Sequence, residues 1–379
     1  MIIRNGLVLQ GREWTRADLQ FDTHIIRVGH VDVRDHELDA DGCYVIPGLV
    51  DIHTHGCVGE DWSDGKADGV QSMADHYAAC GVTGFLATTM TLSEERLTAA
   101  MHILRDHRHV SGAKCLGAHL EGPFLSAARN GAQAAEHLHS PDCALFARLN
   151  EASGGQVRVV TTACEEPGAM EFIRKISQTC TVSIGHTDTN YDTAMGAFSQ
   201  GASHVTHLYN CMPPLLHRQP GPIGAALDSG ASVELICDGI HIHPAVIRAT
   251  FAMFGSRVVL ISDSLRCAGM PDGTYELGGQ PVQLQDGIAL LQGTQTLAGS
   301  TLSLMEAVRN AVRFGVPVEH AVYAASSAPA LAAGLTDVGC IEPKKCADLV
   351  ILDGDLNIKA VFINGTQQVR GIQSHIKQK

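Results

Sequence analysis

The chain has 379 residues, 45% hydrophobic and 18% charged, and 27 Lys and Arg against 40 Asp and Glu leave a formal net charge of -13. A disordered chain would be poorer in apolar residues and richer in charge, and a non-specific binder of nucleic acid or anionic membrane would carry a basic excess or stripe. The length suits two domains, or one α/β barrel with an attachment.

The chain opens MIIRNGLVLQGREW, where Arg4, Arg12 and Glu13 leave no apolar core long enough for a signal peptide. The uncharged stretch from Tyr77 to Ser93 is rich in Gly and Thr and makes a poor membrane span. A cytoplasmic protein without membrane or nucleic-acid partners is expected. Its 12 cysteines sit singly between Cys43 and Cys346, with no CxxC. In a reducing cytosol such residues are small buried apolar groups, not disulfides or a zinc ribbon.

Met1–Val8, Leu19–Val28 and Cys43–Ile46 read as strands, with Asn5-Gly6 and Asp41-Gly42 as turns. From Gly48 short apolar runs alternate with helical stretches. Ser93–Arg105, for example, opens Ser-Glu-Glu-Arg as a capped helix would. Eight strands are expected, starting near 49, 84, 115, 158, 181, 204, 233 and 258. That alternation is the pattern of a (β/α)8 TIM barrel. Tyr275–Val282 and Gly287–Leu291 read as a hairpin-rich insertion, Ser303–Phe314 and Val318–Ala325 as helices, and Asp348–Leu352 and Ala360–Asn364 as closing strands. Each end alone offers too few strands to bury a core. The expected architecture is therefore a small β-sandwich domain of residues 1–50 plus 337–379 and a barrel of residues 51–336.

Barrel enzymes place their chemistry at the C-terminal ends of strands. Those ends carry Asp51-Ile-His53-Thr-His55, His119-Leu-Glu121, His186, His207, Asp238 with His241, and Asp263. Histidine is abundant, at 20 residues, so spacing alone is weak: about one H-x-H pair is expected by chance, and four occur. His107/His109 and His137/His139 read as solvated loop residues. His53/His55 differs, because residues i and i+2 of a strand point to one side. At a barrel mouth both rings can reach one metal.

Val45-Ile-Pro-Gly-Leu-Val-Asp-Ile-His-Thr-His-Gly56 is similar to the first-strand signature of the amidohydrolase superfamily. His119-Leu-Glu-Gly-Pro-Phe124, Gly185-His186-Thr, His207-Leu-Tyr-Asn-Cys-Met-Pro213, Arg218-Gln-Pro-Gly221, Asp238-Gly-Ile-His241 and Leu297-Ala-Gly-Ser300 resemble its branch that deacetylates phosphorylated N-acetyl amino sugars. The tail Gly339-Cys-Ile-Glu-Pro-Lys-Lys-Cys-Ala-Asp-Leu-Val-Ile-Leu-Asp353 extends the resemblance over the whole chain.

The resemblance implies that Glu121, His186 and His207 bind a divalent metal such as Zn, Fe or Mn. It makes His53 and His55 ligands of a second metal, with Glu121 as bridge, so that one or two ions are held per subunit. Asp263 matches the catalytic aspartate. It implies substrate contacts at Ala132, Gln133, Asn210, Cys211, Asp238, His241, Leu297, Ala298 and Gly299, and a phosphate clamp at Arg218, whose guanidinium suits that geometry. Gln133 stands where some relatives have a histidine, and Cys211 where alanine is common. A homodimer is implied, with a neighbouring subunit completing the phosphate site. Hydrolysis of an N-acetylglucosamine phosphate is the expected activity. The galactosamine epimer, a cyclic amidase and a metal-free barrel are the competing readings, and Glu121 argues against the amidase, which needs a bridging lysine.

Overall fold

The computed structural model describes residues 1–33, 36–106 and 111–370. The expected His107/His109 pair and the last nine residues of the expected small domain, 371–379, lie outside the described residues.

Five strands precede the barrel: β1 (Ile2–Gln10), β2 (Glu13–Phe21), β3 (Ile25–Gly29), β4 (Glu37–Asp39) and β5 (Tyr44–Pro47). Gly48 alone separates β5 from β6 (Leu49–Thr54), the first barrel strand. A side chain at Gly48 would drive its Cβ to 2.1 Å from Thr83 Oγ1, so glycine is required at this junction. A two-stranded ribbon, β7 (Gly56–Cys57) and β8 (Glu60–Asp61), follows. The remaining barrel strands are β9 (Val82–Thr89), β10 (Lys114–Glu121), β11 (Val157–Thr162), β12 (Thr181–Ile184), β13 (His204–Val205), β14 (Ser232–Ile236) and β15 (Val258–Ile261). All eight are parallel and neighbour one another in chain order from β6 to β15. Their buried Val, Ile and Leu runs are what a sheet covered on both faces demands. Between β15 and β6 the backbone N–H of Asp263 donates to the His53 carbonyl at 2.9 Å. That contact nearly closes the barrel and sets two site residues side by side.

Three antiparallel strands, β16 (Gly273–Leu277), β17 (Gln280–Gln285) and β18 (Ile288–Leu291), form the insertion. Their turns, Gly278-Gly279 and Asp286-Gly287, all have positive φ, as tight hairpins require. Gln280 Nε2 donates to the Ala132 carbonyl at 2.6 Å, and Ala298 N to the Ala289 carbonyl at 3.0 Å. The insertion thus braces both the Ala132 loop and the Leu297–Gly299 segment over the barrel mouth.

The chain ends in β19 (Leu349–Leu352), β20 (Ile358–Ile363) and β21 (Thr366–Arg370). They join the N-terminal strands in one sheet of order β21-β20-β19-β5-β1-β2-β3, with β4 also beside β1. The sandwich is this one sheet folded over: Phe21 of β2 and Phe362 of β20 meet edge to face at 5.5 Å. A second apolar cluster, including Ile3, Leu19, Leu349 and Ile351, fills the fold.

Three local expectations are corrected. Asn5-Gly6 is a bulge inside β1, not a turn: Asn5 has φ +59, and the pairing shifts between Ile3 and Gly6. Asn5 Nδ2 donates to Asp39 Oδ1 at 3.0 Å, which suits the bulge. Leu19–Val28 is two strands, not one, reversed where Asp22 Oδ1 accepts from the His24 N–H at 2.8 Å. The tail carries a third strand beyond the two expected, turned by Asn364-Gly365 at φ +47 and +70.

Candidate metal centre

Three strands release their candidate residues in one way. His186, His207 and Asp263 each stand two residues beyond the end of β12, β13 and β15, with φ of +47, +28 and +50. The left-handed region costs a non-glycine residue about 1–2 kcal/mol. Here it bends the chain out of the strand while the side chain stays over the barrel axis. Hydrogen bonds hold each bend: the His186 carbonyl accepts from Ser126 N at 3.0 Å, His207 N donates to Glu234 Oε2 at 3.0 Å, and Asp263 N donates to the His53 carbonyl.

These groups converge on Glu121. Its Oε1 lies 2.9 Å from His207 Nε2, 3.2 Å from His186 Nε2 and 3.3 Å from His53 Nε2. Its Oε2 lies 3.3 Å from His55 Nε2. Asp263 Oδ1 is 3.3 Å from His55 Nε2 and 3.5 Å from His53 Nε2. Two clusters with metal-ligand spacing result, His53/His55/Glu121 and Glu121/His186/His207, and they share the carboxylate. The grouping of His53, His119 and Glu234 also has such spacing. Both His119 nitrogens are already bonded, to the Ile52 carbonyl at 3.0 Å and Thr161 Oγ1 at 2.8 Å.

The donor set fits divalent ions. His186 Nδ1 donates to the Arg129 carbonyl at 2.9 Å and His53 Nδ1 to Glu234 Oε2 at 2.8 Å. Each ring therefore turns the lone pair of Nε2 to the centre. The Nε2 atoms of His186 and His207 face one another at 3.0 Å, and His53 Nε2 is buried without a hydrogen-bond partner. Imidazole and carboxylate ligands that leave an open position make a catalytic type of site. Burial opposes protonation of His53, but the carboxylates of Glu234, Glu121 and Asp263 outweigh it and hold the ring well above the usual histidine range. Burial likewise opposes ionisation of Glu121, and the surrounding imidazoles outweigh it. Protons balance the buried charge that a metal would replace. Burial and the neighbouring His53 push His119 down to about 3, so it stays neutral.

Two further residues grip this centre. Glu234, midway along β14, was not among the expected site residues. A single carboxylate inside the apolar run Ser-Val-Glu-Leu-Ile was its signal. Gln133 is buried and fully occupied at one end: Oε1 accepts from Thr91 N at 2.7 Å, which aims Nε2 at Glu121 Oε2, 2.6 Å away. The amide has a second N–H free to serve a ligand.

The centre forms the floor of a cavity of about 270 Å³. His55, Glu121, His186, His207 and Asp263 line it, with Ala132, Gln133, Asn210, Cys211, His241, Leu297, Ala298 and Gly299. His53 lies beneath. Asp238 does not line the cavity but stands behind His241, whose Nδ1 it holds at 2.6 Å. His243 does not line the cavity with His241; it caps the helix Pro244–Phe254 by accepting from Ala245 N at 3.1 Å. Arg218 is not brought into the cavity. It is exposed, in a loop closed by a bridge between Leu216 and Gln219. Neither His137 nor His139 lines the cavity.

Buried imidazoles and a shared carboxylate at the C-terminal mouth of an eight-stranded α/β barrel mark a metal-centred barrel enzyme. The chain belongs to the amidohydrolase family, whose model matches residues 44–368. It is 38% identical to the N-acetylglucosamine-6-phosphate deacetylase of Bacillus subtilis, over 85% of this chain and 83% of that one. It is 36% identical to the N-acetylgalactosamine-6-phosphate deacetylase of Escherichia coli O157:H7, over 94% and 98%. Among solved structures, a mutant N-acetyl-D-glucosamine-6-phosphate deacetylase of Mycobacterium smegmatis, in complex with N-acetyl-D-glucosamine 6-phosphate, superposes with a TM-score of 0.92 at 34% identity, covering 97% of this chain and 99% of that one.

Proposed function

We propose that the protein hydrolyses the acetamido group of N-acetyl-D-glucosamine 6-phosphate, giving D-glucosamine 6-phosphate and acetate in amino-sugar catabolism. The observation that carries this reading is Asp263 at the edge of the shared-carboxylate centre, beneath a cavity rimmed by loop backbone. The relatives' substrates agree with it. A divalent metal such as Zn, Fe or Mn, one or two per subunit, would be held by Glu121, His186 and His207, and by His53 and His55. When bound, it lowers the pKa of water to about 7 and polarises the amide carbonyl.

The chain's own residues do the rest. Burial raises the Asp263 carboxyl, but His53 and His55 outweigh it, so the group rests ionised. Asp263 takes a proton from the attacking water. It returns that proton to the nitrogen as the C–N bond breaks, so the amine leaves neutral. His241, fixed through Nδ1 by Asp238, presents Nε2 to the acetamide or sugar. The free N–H of Gln133 is neutral and adds a hydrogen bond to the acetamide oxygen. The backbone around Ala132, Asn210, Cys211 and Leu297–Gly299 cradles the sugar.

Arg218 clamps the phosphate in this proposal. Its exposed loop, with Leu215 and Leu216 also exposed at 42% and 48%, suits delivery across a homodimer. Sedimentation should find a dimer, and a monomer of full activity would remove that arrangement. Residues 1–50 with 337–379 make one unit and 51–336 the other, a division supported by the separate apolar cluster of the terminal sheet. Twelve free cysteines suit a cytoplasmic setting. Acetate release from metal-loaded protein tests the activity, with N-acetylglucosamine 6-phosphate, its galactosamine epimer and unphosphorylated N-acetylglucosamine compared by kcat/KM. No acetate from any of them would end the proposal; preference for the epimer would reassign the sugar.

A further inference from the structure

Glu234 is fully buried in β14, and its side chain accepts three hydrogen bonds, two of them from candidate metal ligands. Its Oε2 accepts from His53 Nδ1 at 2.8 Å and from the backbone N–H of His207 at 3.0 Å. Its Oε1 accepts from His204 Nε2 at 3.2 Å. Two of these three donors belong to candidate ligands on different strands and in different clusters. One is a ring and the other a peptide N–H. The ring contact decides a tautomer, because a proton on Nδ1 leaves the lone pair on Nε2, the atom that faces Glu121. The peptide contact holds His207 at φ +28, a conformation that crowds its Cβ and that the residue would not hold unaided.

We propose that Glu234 is a positioning residue for the metal centre, setting the tautomer of His53 and the backbone of His207 together. One carboxylate outside the ligand set thereby orients a ligand in each of the two clusters. The inference rests on the reading of His53 and His207 as metal ligands.

The test is Zn²⁺ titration of chelator-stripped full-length protein, with affinity read by competition against a chromophoric chelator and stoichiometry by mass spectrometry. Glu234→Gln keeps the shape and loses the charge. It should weaken binding of at least one Zn²⁺ by about 10–100-fold, while the stripped protein melts near the wild-type temperature. The loss should shrink in a His53→Asn background, because the carboxylate then has no ring to orient. An undiminished loss there, or an unchanged affinity in Glu234→Gln alone, overturns the proposal. Wild-type protein that binds no Zn²⁺ would instead remove the metal-centre reading itself. Should Glu234→Gln fail to fold, imidazole nitrogen NMR of Zn²⁺-loaded wild type decides: a proton on His53 Nδ1 is expected, and a proton on Nε2 overturns it.

Discussion

Asp263 occupies the left-handed region at φ +50, and asparagine tolerates that region as well as aspartate does. Asp263→Asn should therefore fold and hold metal while turnover falls by at least about 10²-fold, the lower range of what a positioned acid and base contributes. Metal analysis and steady-state kinetics on one preparation check it; near-normal turnover would assign the proton to another group. Arg218 has no side-chain partner among the described residues. Arg218→Ala should leave the melting temperature unchanged, raise KM for the phosphorylated sugar and spare the unphosphorylated one. An equal loss on both sugars would deny it the phosphate. At this scale the sequence was legible where strand period and strand end coincide, as at His53, His55 and Glu121. At Glu234 a carboxylate in an apolar strand marks the residue but not its role, because its partner His53 is 181 residues away. The grip of Gln133 on Glu121 was not legible either, since a side chain that lines a cavity carries no mark of which neighbour holds its amide.

Strand and turn behave differently. The barrel strands announce themselves by apolar runs long enough to outlast their boundaries, and β13 shows the limit: only His204 and Val205 keep ladder geometry before the chain bends toward His207. The terminal sheet is harder to read because Asn-Gly serves two purposes. At Asn5-Gly6 it kinks a strand, and at Asn364-Gly365 it reverses the chain, the difference being whether a partner strand continues alongside. The turn between β19 and β20 is ordered by Asp353, which accepts from the N–H groups of Asp355 and Asn357 at 3.0 and 2.8 Å and pairs with Lys359 at 3.2 Å. The backbone N–H of Asn357 leads the contacts that hold this carboxyl down to about 2, against an ordinary 3.8. A depressed folded-state pKa stabilises above the unfolded value, and the contribution disappears as pH falls through the folded one. Asp353→Asn should thus melt below wild type near neutrality, and the gap should narrow from about pH 4 down toward 2. Thermal melts across that range check it, and a gap constant with pH would make the charge irrelevant.

For the whole molecule, metal is expected to contribute to stability as well as chemistry, because the five ligands come from four separate strand ends. Free metal at 1,000 times its Kd would add about 4 kcal/mol. Chelation should abolish acetate release and lower the melting temperature, and added divalent ion should restore both. Loss of activity with an unmoved melting temperature would mean the ligand cage stands without metal. The eightfold alternation carried the barrel into view, while the route by which the two chain ends meet was visible only as a shortage of strands at each. The Gly48 junction gives that meeting a consequence for biosynthesis. Pro47 pairs with Leu349, and Gly48 N donates to the Asp348 carbonyl at 2.9 Å. While a ribosome is still making the barrel, β5 presents an open edge directly upstream of His53 and His55. An open edge recruits stray strands, so a nascent chain stalled before β19 risks aggregation even with every metal ligand already translated.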